Sequence, residues 1–294
     1  MEVKVIDVEF KDFKGDIAAF MVFTDKYYIL VETGPRATLG NLIEKLGEVG
    51  IKPKDLDYIV VTHVHLDHAG AAGVLAREAE NAKIMVHPRG YPHLNNPEKL
   101  WRSSNEIFGD LAKEYGEPSP IPRSRLVSVS DGADLDVGED TIVFIHTPGH
   151  ASHHMVIYAT EGRILFSGDA LGCFYEGVIA PDTPRPHNYD DAIKSLKKLS
   201  TLKIDDVYFT HYGPFRPGSK AVERALEKWR QWHDILWEAY KEDLTVDEAY
   251  EMLLEKDLDA RKVDRYFKSR PYGQNSLRNS IEGYLSYFKW KYEG

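Results

Sequence analysis

The chain has 294 residues, a net charge of −10, and 43% hydrophobic and 12% aromatic content. That apolar share can bury a sizeable core and excludes a disordered chain. The acidic balance, with no long lysine or arginine run, argues against nucleic acid as a partner. The single cysteine, Cys173, excludes an intramolecular disulfide. No apolar stretch approaches the ~18 residues of a membrane span, and no secretory signal is visible, so a soluble cytoplasmic protein is expected.

Strands are predicted at 3–9, 17–23 and 27–31, where β-branched and aromatic residues alternate with turn residues. Leu39, Leu42, Ile43 and Leu46 share one helical face, and Gly50 closes that helix. The apolar run 56–61 reads as a strand, a helix follows at about 70–80, and 83–86 is another strand. Residues 89–120 read as helix, then loop. Four strands are expected at 126–129, 140–146, 153–159 and 163–167. A loop of about 20 residues follows Asp169; loops that long in a compact domain are usually functional. A helix at 189–200 and a strand at 205–210 complete this part. Beyond Pro217 only helical patterns remain, at 219–240, 245–255, 259–268 and 275–291. The expected division is a catalytic domain at 1–217 and a helical extension at 218–294. Tyr284, Tyr287, Phe288 and Trp290 of the last helix read as a packing face, with a homodimer interface as the alternative.

The strongest chemical signal is Thr62-His63-Val64-His65-Leu66-Asp67-His68. Three of twelve histidines fall within six residues, directly beyond an apolar strand. Imidazole suits zinc, iron and nickel, and carboxylates complete such sites. A polar loop that merely caps a helix would explain Asp67 but not three histidines. Three further strands give way to a Gly-containing turn that carries a ligand-type residue: Thr147-Pro148-Gly149-His150, Ser167-Gly168-Asp169 and His211-Tyr212-Gly213. Each is weak alone. Together they supply what a two-metal site still lacks.

These motifs resemble the metallo-β-lactamase superfamily over roughly residues 1–215. The resemblance implies an α/β fold of the αββα four-layer sandwich type, here with a C-terminal helical extension. It implies that His63, His65 and His150 hold one metal, that Asp67, His68 and His211 hold a second, and that Asp169 bridges them. Two divalent metal ions are then the cofactor, zinc by default, with iron or manganese able to take the same ligands. The implied activity is that of a hydrolase resembling glyoxalase II or the lactonases. A metal-bridging hydroxide would attack an ester, thioester or lactone carbonyl, and Asp67 would be the catalytic residue that orients it. A mononuclear-iron oxidoreductase resembling persulfide dioxygenases, built on His63, His150 and Asp169, is the alternative; a nuclease of the same superfamily is another. The family often has Asp-Thr-Gly where this chain has Glu32-Thr33-Gly34, so Glu32 would have to orient a ligating histidine with one more methylene of reach.

The expected partner is a small-molecule substrate. Candidate wall residues come from the long loop: Phe174, Tyr175, Arg185, His187 and Tyr189, with Arg185 able to pair with a substrate carboxylate. His153 and His154, on a strand, should point to opposite faces, so at most one would face the site. The turn Arg270-Pro271-Tyr272-Gly273 is expected either to reach the substrate or simply to lead into the last helix.

Overall fold

The computed structural model describes all residues 1–294. Fourteen strands form in chain order: β1 Glu2–Asp7, β2 Ala18–Phe23, β3 Tyr28–Val31, β4 Tyr58–Val60, β5 Lys83–Val86, β6 Leu126–Ser128, β7 Asp134–Asp136, β8 Thr141–His146, β9 Met155–Ala159, β10 Ile164–Gly168, β11 Cys173–Tyr175, β12 Val178–Ala180, β13 Asp206–Phe209 and β14 Gly213–Phe215. The helices are α1 Leu39–Glu48, α2 Leu66–Ala69, α3 Ala72–Glu78, α4 Tyr91–Asn95, α5 Glu98–Phe108, α6 Asp110–Tyr115, α7 Tyr189–Leu199, α8 Gly218–Lys241, α9 Val246–Lys256, α10 Leu258–Lys268 and α11 Ser276–Glu293.

Two six-stranded sheets result, ordered β1-β2-β3-β4-β5-β6 and β14-β13-β10-β9-β8-β7. Strand periodicity decides how they stack. On β2, Ala18, Phe20 and Val22 meet Phe144, Ile157 and Phe166 of the second sheet. Ala19 and Met21, which point the other way, meet Leu42, Leu46 and Leu75 of the helices outside. The second sheet buries its own outer face, through Val156, Leu165 and Val207, under α7 and the start of α8. Helix, sheet, sheet, helix is therefore the layer order, as the family resemblance implied.

The loop expected after Asp169 is only partly a loop. It holds the hairpin β11–β12, registered Cys173 with Ala180 and Tyr175 with Val178. Three-residue strands leave too little periodicity to be read from sequence.

Strands end at Phe215, and only helices follow. The first half of α8 (Val222, Ala225, Trp229) belongs to the sheet core, and its second half (Trp232, Leu236, Ala239) joins α9–α11 and the hairpin. One continuous helix thus belongs to both cores. The aromatic face of α11 is an internal packing face: Tyr284, Tyr287 and Phe288 are buried, while Trp290 is exposed.

α11 also crosses the 182–187 segment closely. A methyl group on Gly283 would overlap the Thr183 carbonyl oxygen. Overpacking of this kind costs about 1–3 kcal/mol. Gly283→Ala is therefore expected to destabilise the fold by that amount, read from the urea midpoint; an unchanged midpoint would mean that the contact is looser than described.

Candidate metal centre

All four motifs meet at one edge of the sandwich. Each follows the C-terminal end of a strand: β4 for His63 to His68, β8 for His150, β10 for Asp169 and β13 for His211. Placement on the ends of rigid strands fixes the side chains more tightly than a free loop would. Gly168 has φ +47°, and a side chain there would strike Thr62 and His154, so glycine is what lets β10 deliver Asp169 this close to β4.

Two trios form. The ligand atoms of His63, His65 and His150 lie within 4.8 Å of one another, as do those of Asp67, His68 and His211. Asp169 stands between them. Its Oδ2 is 3.1 Å from His68 Nε2, 3.4 Å from His150 Nε2 and 3.8 Å from His63 Nε2. Its Oδ1 is buried with no hydrogen-bond partner, and so is His63 Nε2.

The outer nitrogens are tethered. His68 Nδ1 lies 3.1 Å from the Glu32 carboxylate. His150 Nδ1 lies 2.8 Å from the Asp182 carbonyl. His211 Nδ1 lies 3.0 Å from the Asp16 carbonyl, and His63 Nδ1 lies 3.1 Å from the Thr62 hydroxyl. Carbonyl and carboxylate partners require Nδ1–H, which turns the Nε2 lone pairs inward. The inner nitrogens crowd together: His150 Nε2 and His65 Nδ1 are 3.0 Å apart, and His211 Nε2 and His68 Nε2 are 3.2 Å apart. Imidazole nitrogens crowded around two carboxylates, with His63 Nε2 and Asp169 Oδ1 buried and unpartnered, are the donor set that a divalent cation takes. The residues present therefore fit a metal centre.

The electrostatics agree. Burial and the neighbouring imidazoles hold His63 and His65 well below the ordinary histidine value. Burial would lower His211 too, but Asp169 and Asp67 outweigh it and push it up to about 9. Burial would raise Asp67, yet His68 and His211 hold it well below the usual carboxylate range. The carboxylates recruit positive charge into the site, as protons when no metal competes.

Glu32 is fully buried and does what its position required. Besides His68, its carboxylate accepts the Thr62 hydroxyl. The backbone at Glu32 is left-handed, φ 66°.

The expected wall residues separate. Tyr175 lines a cavity of about 130 Å³ that opens onto His65, Asp67, Asp169 and His211. Its hydroxyl donates to the Asp16 carbonyl at 2.6 Å and lies 3.2 Å from His211 Nδ1. Phe174 does not reach that cavity; alternation along β11 turns it onto Phe209 and Phe215. Arg185 is not free for a substrate carboxylate, since it pairs with Glu282 at 3.3 Å. Arg185 and His187 line a separate groove with Arg89 and Trp290, and Tyr189 stacks on His233. His153 and His154 precede β9, so strand alternation does not govern them. Both approach the ligands: His154 Nε2 accepts the Asp169 amide at 3.0 Å, and the His153 ring lies 5.7 Å from His65.

Sequence reasoning missed Asp16, Tyr115, Asp182, Tyr266 and Phe267 in the same cavity. Asp182 carries a carboxylate near His150 and Asp169. Asp16 accepts the hydroxyls of Tyr266 and Tyr272 and both arms of Arg270, at 2.9–3.1 Å for the guanidinium. These contacts span about 250 residues of chain, and no local pattern announces them.

His87, against His146, gives a pH signature outside the centre. Burial and the nearby His146 lower it to about 4. Unfolded, it titrates near ~6.5. Between those values only the unfolded chain gains the proton, so stability falls as pH drops from about 6.5 towards 4, by at most ~1.4 kcal/mol per unit. In His87→Asn the loss between pH 7 and pH 5, read from urea midpoints, is expected to shrink; an identical loss would contradict the assignment.

Comparison with known proteins follows the same lines. The family model described as metallo-beta-lactamase superfamily matches residues 13–211. A metallo-beta-lactamase fold-containing protein of Sulfurisphaera tokodaii is 34% identical over 177 residues, covering 59% of this chain and 66% of the relative. An N-acyl homoserine lactonase of Azorhizobium caulinodans is 30% identical over 170 residues, covering 54% of this chain and 58% of the relative. The chain thus spans somewhat less than two thirds of these relatives' length. The crystal structure of a metallo-beta-lactamase family protein from Thermus thermophilus superposes with a TM-score of 0.71 over 98% of this chain and 93% of that one, at 22% identity, a likeness of fold. With the family match covering well over half of its length, this chain belongs to the metallo-β-lactamase superfamily.

Proposed function

We propose that the chain is a metal-dependent hydrolase acting on an ester, thioester or lactone carbonyl. The observation that carries this reading is the pair of ligand trios joined by Asp169, with tethered outer nitrogens and inner lone pairs turned to a common centre. His63, His65 and His150 would hold one divalent cation, Asp67, His68 and His211 a second, and Asp169 would touch both. Cations held there would supply Lewis-acid activation of water and of the carbonyl oxygen.

The rest falls to the chain's own side chains. Asp67 is ionised and part-exposed towards the cavity, so it accepts a hydrogen bond from the attacking water and orients it. Glu32 and the Asp16 carbonyl hold His68 and His211 in the tautomer that leaves Nε2 free. A relative named as a lactonase supports carbonyl chemistry in this family. The complete seven-residue set favours two metals over the single iron of the oxidoreductase alternative.

The test is a panel of simple esters, thioesters and lactones, assayed with metal-stripped and zinc- or manganese-loaded protein. Turnover that appears only with metal is expected. Turnover by the stripped protein would overturn the reading.

A further inference from the structure

Resting on the hydrolase reading, we propose that the cavity beside the metal centre is an acyl subsite for an uncharged, apolar group about the size of a benzene ring, and that the C-terminal helices and the turn between them form about a third of its wall.

Shape comes first. The cavity measures about 130 Å³ and opens onto His65, Asp67, Asp169 and His211. Apolar cavities of ~150 Å³ in other proteins take up benzene. A ring or a chain of four to six carbons therefore fills it, and further carbons extend past its walls and gain no more burial.

Chemistry comes second. One wall is Phe108, Leu111 and Tyr115, from α5 and α6. The facing wall is Tyr266, Phe267 and Tyr272, from α10 and the turn after it. The hydroxyls of Tyr266 and Tyr272 are committed to the Asp16 carboxylate, so those rings offer a ligand no free donor.

Charge comes third. Arg270 is the cavity's one guanidinium, and no lysine lines it. It is bidentate on Asp16 and lies over the Tyr266 ring at 4.3 Å and the Phe13 ring at 5.1 Å. Its charge is already matched. A carboxylate at the far end of an acyl group would meet Asp16, Asp182 and aromatic walls; Ser104, Ser276 and Asn279 are the neutral polar residues there, and no cation is free to receive it.

Selectivity follows. Each buried methylene is worth about fourfold in binding. From acetyl to butanoyl, two methylenes predict about a fifteenfold rise in kcat/KM. Hexanoyl and benzoyl esters should sit at the plateau, decanoyl at or below it, and succinyl about tenfold or more below butanoyl.

The experiment uses the metal-loaded full chain and p-nitrophenyl esters of these acids. Binding of acetate, hexanoate, benzoate and decanoate is measured alongside by calorimetry and does not depend on turnover. The profile above, with hexanoate and benzoate binding at least tenfold tighter than acetate, supports the subsite. A flat profile, or a preference for succinyl, overturns it while leaving the hydrolase reading intact. No turnover of these esters or of the thioester and lactone panel, with the same order of acid binding, removes the hydrolase reading and keeps the subsite. Phe267→Ala, on the extension, should move the optimum towards decanoyl. Phe108→Ala, on the opposite wall, should do the same if Phe267→Ala fails to fold. An unmoved optimum in a folded variant places the acyl group elsewhere.

Discussion

Asp169→Ala is expected to remove hydrolysis almost completely, by ~10³-fold or more, and to lower metal content below that of the unaltered chain. The carboxylate lies within reach of both trios: His68 at 3.1 Å, His150 at 3.4 Å and His63 at 3.8 Å. Without it, two cations would share a small volume with no anion between them. Lewis-acid activation is worth several kcal/mol, and each ~1.4 kcal/mol is tenfold in rate. The alanine change leaves the Asp169 amide bonded to His154, so the backbone should hold its path. Elemental analysis and ester turnover on the same preparation check this. Full metal content with lost activity would make Asp169 a reacting group rather than a ligand.

Asp67→Ala should separate metal binding from rate. Asp67 belongs to the trio with His68 and His211, while His63, His65 and His150 form their trio without it. At least one metal is therefore expected to remain. Turnover should fall by ~10²-fold or more, the usual worth of a well-placed acid or base, with KM little changed. Asp67→Asn keeps the size and should lose nearly as much, because an amide is a weaker acceptor for water and a weaker ligand. Undiminished turnover in either variant would sink the role given to Asp67.

How much of this was legible depended on how local each signal was. The motif at His63 to His68 is dense, and it directly follows an apolar strand, so ligand type, spacing and rigid support could be read together. His150, Asp169 and His211 were legible because each lies where a strand gives way to a Gly-containing turn, and because the family resemblance implied their roles. Glu32 was legible as a position, two residues before Gly34, while its contact with His68 needed the fold.

The substrate side was mostly not legible. Phe174, Arg185 and His187 lay in the right loop, but a hairpin turn, the pairing of Arg185 with Glu282 and the packing of α11 decided where they went. Asp16 looked like a turn residue. It became a hub because Tyr266, Arg270 and Tyr272 arrive from the far end of the chain. The extension carries plain helical periodicity, which says that it packs and says nothing of what it packs over. Tyr115 ends α6 with no motif around it, and only the meeting of α6 with the extension brings it to the cavity.

The central claim is that two divalent cations share one cradle, and metal content per chain measures it most directly. Protein purified without added metal or chelator should carry close to two equivalents of zinc, manganese or iron. One equivalent of iron alone, with oxygen consumption, would contradict the account and remove the second site assigned to Asp67, His68 and His211.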